Sequence, residues 1–477
     1  MSDDAKFERI LGRWDILALA FGAMVGWGWV VLAGEQLRLG GTLGSSLAFV
    51  AGGIAVLLIS LTYAELCSAM PMTGGEHVYA YRALGPLGSF VCTWAIVLGY
   101  VTVVAFEAVA LPTVLDYLLP NYAVGDLWTV AGWDVKLTWA LTGVAGAIFM
   151  TWVNYRGISF SAALQKIFVF ALALVGLLLI VGSFVTGDAA NTQPLIVGGV
   201  GGWMAVLVMI PFLLVGFDVI PQAAEEIDLS PNAIGKVLLL SVTMAVVWYI
   251  LILVAVALML DGPALESTEL APADALAAVV GAGWGGKLLV IAGLCGILTS
   301  WNAFFVGGSR AIYAMAHSGM LPAFLAKLHP THKTPVNAIL LIGVLSAIAP
   351  FFGRSALVWL VDAGGFGIVI AYGLVAVSFL VLRKREPDMP RPYRAPAGQF
   401  VGWAAVILST ALAILYLPGM PSALIWPAEW LIAGLWIGLG AIFWTMARAR
   451  VGHDEMVRRL DDDLARAARD ADPVAAE

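Results

Sequence analysis

Charge is what this 477-residue sequence has least of: 12% of its residues are Asp, Glu, Lys or Arg, about half the share of an ordinary soluble chain. Together with 61% apolar residues and a mean hydropathy of +0.93, that shortage excludes a soluble fold. About twelve spans of roughly 20 residues, lengthened by tilt, leave only short loops and two tails, so no large soluble catalytic domain fits. Cysteine is equally scarce. Cys67, Cys92 and Cys295 lie in or beside apolar runs without paired spacing, which argues against a zinc site or a disulfide framework. The five histidines (His77, His317, His329, His332 and His453) all fall on one expected face and have no hydrolase or metal motif beside them, so a membrane enzyme is not expected. A net charge of −7 offers no basic surface for nucleic acid. No cofactor and no obligate protein partner are indicated; the expected partners are a small solute and the lipid bilayer.

What is present is a series of long apolar runs, near residues 14–32, 43–66, 88–117, 137–154, 159–185, 203–224, 234–260, 283–306, 335–352, 355–382, 399–417 and 427–447. The expected fold is therefore all-α and integral to the membrane, with twelve transmembrane helices. Residues 1–13 form an N-terminal tail and 448–477 a C-terminal one. The first thirteen residues carry six charges and no apolar core of a signal peptide, so the first run is expected to stay as a helix. If both tails are cytoplasmic, 21 of the 25 basic residues lie inside, and only Arg38, Lys136, Lys287 and Arg354 lie outside, where Asp126, Asp134, Asp188, Glu266 and Glu269 also fall. The positive-inside rule thus places both termini in the cytoplasm of a plasma-membrane protein. The C-terminal tail, rich in Arg, Asp and Ala, reads as a helix lying on the membrane face or as a solvated tail.

Two spans carry breakers. Gly22, Gly26 and Gly28 surround Trp27 in the first, and Pro211 and Gly216 interrupt the sixth. The segments Val25-Gly26-Trp27 and Val215-Gly216-Phe217 echo one another five spans apart, an odd number that makes the two halves inverted repeats. Broken helices expose backbone N–H and C=O groups where lipid offers no partner, so a ligand, an ion or trapped water must satisfy them. Freed N–H groups suit an anionic group and freed carbonyls a cation. Glycine also serves plain helix packing, and Gly22-xxx-Gly26 fits that pattern.

Ionisable residues at membrane depth are costly and face a cavity or a partner. Glu107 in the third span reads as a cation ligand, a proton carrier or a cross-helix partner. Asp218, directly after the sixth-span break, reads as a ligand for an ammonium group or as a brace for the unwound backbone, and Asp362 as a gate or cap near the outer surface. The Gly74-Gly75-Glu76-His77 stretch lacks the ligands of a metal or phosphate site and reads as a short gating or connector helix. Arg156, Glu225, Glu226 and Arg310 read as an inner-gate ion network or as hydrated interfacial charge.

Five stretches in order give the chain a family resemblance: Gly22-Ala23-Met24-Val25-Gly26-Trp27-Gly28; Tyr63-Ala64-Glu65-Leu66 through Pro71 to Gly74–Arg82; Val215–Asp218 leading to Glu225-Glu226; Arg310–Ala316 through Gly319 to Leu321-Pro322; and Arg383–Pro387 with Arg391–Pro396. The sequence resembles the amino acid–polyamine–organocation (APC) superfamily permeases over almost its whole length. The resemblance implies two inverted five-helix repeats (14–185 and 203–382, LeuT-like) plus two helices (399–447), with substrate between spans one and six. It implies that Gly26, Trp27 and Gly28 present N–H groups to a substrate carboxylate, that carbonyls around Phe212, Leu213 and Val215 receive its amine, and that Phe212 acts as an aromatic lid. Two positions depart from the family. Trp27 stands where relatives have a small residue, putting substrate size in doubt, and Leu172 stands near the position of a lysine in proton-coupled relatives, while Lys166 lies too near the cytoplasm to replace it.

In span eight, Gly296-x-x-Thr299-Ser300 sets a carbonyl and two hydroxyls on neighbouring turns, a hard-oxygen set suited to Na+ beside the first-span break; Ser and Thr also commonly bond the preceding turn. The expected activity is secondary transport, symport or antiport coupled to Na+ or H+, importing a small amino acid by alternating access, with no covalent chemistry. Trp27 and Glu107 favour a rival substrate, an amine without a carboxylate such as ethanolamine or a polyamine. Amino acid exchange, or a substrate-gated sensor or channel, would use the same broken helices.

Overall fold

The computed structural model describes residues 7–471 except 269, 282 and 421; the acidic Glu269 of the expected outer loops and the extreme ends of both tails lie outside the described residues. The first apolar run is two helices, α1 (Arg13–Val25) and α2 (Gly28–Val31), followed by the long α3 (Ala33–Ala69) and α4 (Glu76–Leu118). Gly41 and Gly85, with φ of +71° and +79°, kink α3 and α4, and Pro86 follows the second kink. A hairpin of β1 (Asp126–Val130) and β2 (Trp133–Lys136) leads to α5 (Leu137–Tyr155) and α6 (Ile158–Thr186). The second half opens with another divided pair, α7 (Gly199–Leu213) and α8 (Val219–Gln222). It continues through α9 (Pro231–Met259), short α10 (Gly262–Ser267) and α11 (Ala271–Val280), α12 (Trp284–His317), α13 (Val336–Ile348) and α14 (Ala356–Arg385). The last helices are α15 (Gly398–Leu415), α16 (Ala428–Arg450) and α17 (His453–Ala471).

Among the described residues ten helices are long and apolar enough to cross a bilayer, and shorter apolar helices at 199–213 and 336–352 occupy the positions read as spans six and nine. The fold is an all-α integral membrane bundle. Several helices overrun the apolar windows: α3 starts at Ala33 and α12 ends at His317. Their polar ends continue the helix beyond the hydrocarbon, which hydropathy alone cannot register.

Packing in the two halves repeats with a shift of five spans. α1 lies on α9 as α7 lies on α3; α4 lies on α14 as α12 lies on α6; α4 meets α5 as α12 meets α13. The matched pairs α3 and α9, α4 and α12, and α5 and α13 also pack directly on each other.

Both ends of the described chain lie on one face. The Ile10 and Leu11 amides each donate to the Glu226 carbonyl at 2.9 Å. The tail is the helix α17, which docks on the bundle. Met456 and Leu460, four residues apart on one helix face, are buried, and Leu464 packs beside them. The Tyr81 hydroxyl donates to Asp461 at 2.8 Å, and His317 pairs with Asp463 at 3.4 Å.

Candidate binding site

A cavity of about 840 Å³ lies between the two broken helices. Gly26, Trp27, Gly28, Phe212, Leu213, Val215, Glu107 and Ser300 all line it, and Arg38, Glu266 and Arg354 lie at its mouth, away from the tails. Asp362, read as a gate near the surface, also lines its wall.

The first break is built on Gly26, whose φ of +41° lies in the left-handed region, and α1 closes there with a Gly26 amide to Gly22 carbonyl bond of 3.2 Å. Among the described residues the N–H groups of Trp27, Gly28 and Trp29 make no backbone hydrogen bond; Val30 is the first amide past the break to do so, donating to the Trp27 carbonyl at 3.0 Å. They are the open N-terminus of the short α2, a place that favours an anion. On the other side of the break, the Met24 and Val25 carbonyls receive the Tyr249 hydroxyl of α9 at 3.0 and 3.2 Å.

The second break, Leu214–Asp218, turns at Gly216 with φ of +130°. A Cβ on Gly216 would stand 2.5 Å from the Ala23 Cβ and 3.1 Å from the Met24 nitrogen, so the two breaks pass backbone to backbone. Pro211 removes an amide from the preceding turn, and the Pro211 and Leu213 carbonyls accept no backbone hydrogen bond among the described residues. The cavity thus has donors on one side and, on the other, the carbonyl end of α7.

Glu107 is buried on α4, with Ser300 as its hydrogen-bonding partner and its Oε2 unpartnered. It is a carboxyl group on the cavity wall, beside the Ser300 that neighbours Gly26. Asp218 lies elsewhere. It is fully buried below the second break, where its carboxylate accepts from the Tyr100 hydroxyl (2.6 Å), the Tyr372 hydroxyl (3.0 Å) and the Gly216 amide (2.9 Å). Of its two sequence readings, the geometry is that of the brace, and it is not part of the cavity wall. Thr299 donates to the Gly22 and Gly296 carbonyls at 3.1 and 2.8 Å, and Ser300 lies beside Gly26. No group of three or more His, Cys, Asp or Glu side chains suited to a metal occurs among the described residues.

The bulk of Trp27 is housed by α12. A Cβ on Gly293 would collide with the indole ring, and one on Gly296 with the Gly26 carbonyl. Leu172 packs at Gly296 from α6, whereas Lys166 pairs with Asp15 at 2.6 Å on the tail face. Sequence reasoning missed Gly293 and Tyr249. It also missed a neutral network in which Gln165 donates to the Ala18 and Thr299 carbonyls while Asn302 joins Gln165, Ser161 and Asn154. A tyrosine or glutamine inside an otherwise aliphatic run is the only available signal for these.

Below the cavity the path to the tail face is shut. The Arg310 guanidinium holds Glu226 in a bidentate pair at 2.8 and 3.0 Å, with both side chains buried. Glu225 accepts the Thr73 amide at 3.2 Å, and burial pushes its carboxyl up from the ordinary value. Arg156 takes no part in that pair; it lies 5.4 Å over Trp152. His77 is held by Ser89, Thr93 and Ser318, a packing role.

A sequence model of the family described as "Amino acid permease" matches residues 11–447. The chain belongs to the amino acid permease family. It is similar to other permeases along most of its length. A "Branched-chain amino acid permease BcaP" of Bacillus subtilis (strain 168) is 29% identical over 85% of this chain and 88% of its own. A "Methylthioribose transporter" of the same organism is 27% identical over 92% of this chain and 94% of its own. "Cationic amino acid transporter 4" of Mus musculus is 28% identical over 82% of this chain and 62% of its own. This permease is accordingly a transporter of the APC superfamily and not an enzyme.

Proposed function

We propose that the protein imports a small amino acid with an uncharged, apolar side chain across the plasma membrane by alternating access, both termini being cytoplasmic. The reading is carried by the meeting of the two breaks at one cavity. Unpaired amides of Trp27, Gly28 and Trp29 suit a carboxylate, and Glu107 with the carbonyl end of α7 suits an ammonium. Val103, Phe106, Val208, Met209, Phe212 and Phe304 supply an apolar wall for the side chain. The open mouth and the Arg310–Glu226 closure correspond to a state that loads from outside.

Glu107 favours a second reading, a cationic amino acid or an amine lacking a carboxylate. Uptake into proteoliposomes separates the two. Labelled branched-chain, cationic and small neutral amino acids, carboxylate-free amines and methylthioribose are offered with sodium and pH gradients imposed separately. Concentrative uptake of neutral amino acids, competed by neither amines nor amine-free acids, is the expected result. Accumulation of amines alone would refute the proposal, and a sodium requirement would assign Thr299 and Ser300 an ion.

A further inference from the structure

Glu76 opens α4 on the tail side of the second break, and its side chain is wholly buried. No lysine, arginine or histidine pairs with it among the described residues. The titratable groups around it are Tyr63 and Cys67 on α3, Tyr79, Cys92 and Tyr100 on α4, Asp218 at the start of α8, and Tyr372 on α14. None of these is a cation. A carboxylate in such a place has lost its hydration and gained no counter-charge, which a protein interior tolerates only at several kcal/mol or by taking up a proton.

The hydrogen bonds show where that proton belongs. The Gln222 amide nitrogen donates to Glu76 Oε2. Gln222 Oε1 is a buried acceptor with no partner, and Glu76 meets, besides Gln222, only the Tyr63 hydroxyl. Buried acceptors without donors are rare enough to need an explanation. One proton on Glu76 Oε1 gives Gln222 Oε1 its missing donor and makes the contact a doubly bonded acid–amide pair.

We infer that Glu76 is a proton-binding site that couples transport to the proton gradient. Gln222 is the last residue of α8, and α8 is the half-helix beyond the second break. It is seated on the connector by the Gly74 amide, which donates to the Gln222 carbonyl at 3.2 Å, and by Pro221, whose Cβ would lie 2.6 Å from a Cβ on Gly75. While α8 is seated, Glu76 holds its proton. When α8 lifts away to open the tail face, water reaches Oε1, the O–H bond breaks, the proton passes to that water and the carboxylate stays behind hydrated. Reprotonation is required before α8 can seat again. The Tyr100–Asp218–Tyr372 bonds, the Tyr63 ring edge-on to Tyr372 and the Tyr63 hydroxyl at Glu76 are the polar groups between Phe304 on the cavity wall and Glu76, on the side from which reprotonation comes.

This inference rests on the transport reading, and the test distinguishes their failures. Wild type and Glu76→Gln are compared in proteoliposomes for substrate counterflow, which needs no gradient, and for accumulation driven by an acid exterior. The neutral amide is expected to keep counterflow within about two-fold of wild type and to reduce accumulation to simple equilibration. Wild-type accumulation by Glu76→Gln would overturn the inference. If neither protein exchanges any amino acid, the substrate reading fails, and Glu76 is then read alone by infrared difference spectroscopy. A protonated-carboxyl band at neutral pH, present in wild type and missing in the variant, supports the site; no such band overturns it. Should Glu76→Gln not fold, Glu76→Asp keeps the acid but withdraws it from Gln222. The midpoint pH of accumulation should then move by about one unit, and an unmoved midpoint overturns the inference.

Discussion

The buried Arg310–Glu226 pair makes a quantitative prediction about the closed tail face, because removing one buried charge differs from removing both. Glu226→Met leaves the guanidinium buried beside Ser309 and Phe7 with no anion to meet it. Breaking a buried pair in this way costs about 3–5 kcal/mol, whereas replacing both partners with apolar side chains of similar volume is close to neutral. At 1.4 kcal/mol per tenfold, the single change should shift the closed-to-open ratio by roughly 10²-fold to a few thousandfold, and Glu226→Met with Arg310→Met by far less. Native Cys67 reports the opening. It is buried in α3 beside Tyr79 and Glu76, at the tail end of that helix. In a background carrying Cys92→Ala and Cys295→Ala, a membrane-permeant maleimide should label Cys67 slowly in the parent, at least about a hundredfold faster in Glu226→Met and near the parental rate in the double variant. Thermal unfolding of each protein separates opening from global loss of structure. Equal protection of Cys67 in the parent and in Glu226→Met, or equal exposure in single and double variants, would show that the pair does not close this face.

Further outcomes follow from the two breaks and their supports. Gly26→Leu and Gly216→Leu place side chains at φ values of +41° and +130° and, for Gly216, into Ala23; both should abolish uptake with membrane insertion intact, checked by transport and by protease mapping. Tyr249→Phe strips the shared donor from two buried carbonyls and should cost about 1–3 kcal/mol, read as a lowered melting temperature and weaker uptake. Glu107→Gln should weaken binding of substrates carrying an ammonium group by tenfold or more while sparing the fold, measured by competition assays. Glu225→Gln bears on pH: burial raises this carboxyl in the closed arrangement, so closure gains stability as pH falls through the raised value and loses it as pH rises. The amide variant should flatten that dependence in Cys67 labelling.

Much of this was legible from composition and punctuation. Apolar runs mark the spans because lipid demands them, and Gly26, Pro211 and Gly216 mark the breaks because no other residues disrupt a helix so cheaply. Of the wall residues, Trp27 lay inside the first break, Glu107 was marked as an acid at membrane depth, and Phe212 came from the family resemblance. What stayed hidden depends on three-dimensional neighbours. Asp218 follows a break exactly as a ligand would, yet Tyr100 and Tyr372, more than a hundred positions away in either direction, turn it into a brace. Gly293 looks like any packing glycine until Trp27 is set against it, and α17 reads as a solvated tail until Tyr81 supplies the partner for Asp461.

The way α1 is fastened has a mechanical consequence. Among the described residues its long half is tied to α6 and α12 by two neutral bonds, Gln165 on the Ala18 carbonyl and Thr299 on the Gly22 carbonyl, and by the partly exposed Lys166–Asp15 ion pair, worth about 1 kcal/mol at most, while the carbonyls at its break end are tied to α9 by Tyr249. Neutral bonds of about 1 kcal/mol each are within reach of thermal motion, unlike the ionic closure at Arg310. The first break is therefore a joint at which the arm is pinned to α9 by its Met24 and Val25 carbonyls and about which the rest of the arm can pivot. Once the ionic latch is released, the arm can move without melting the bundle around it.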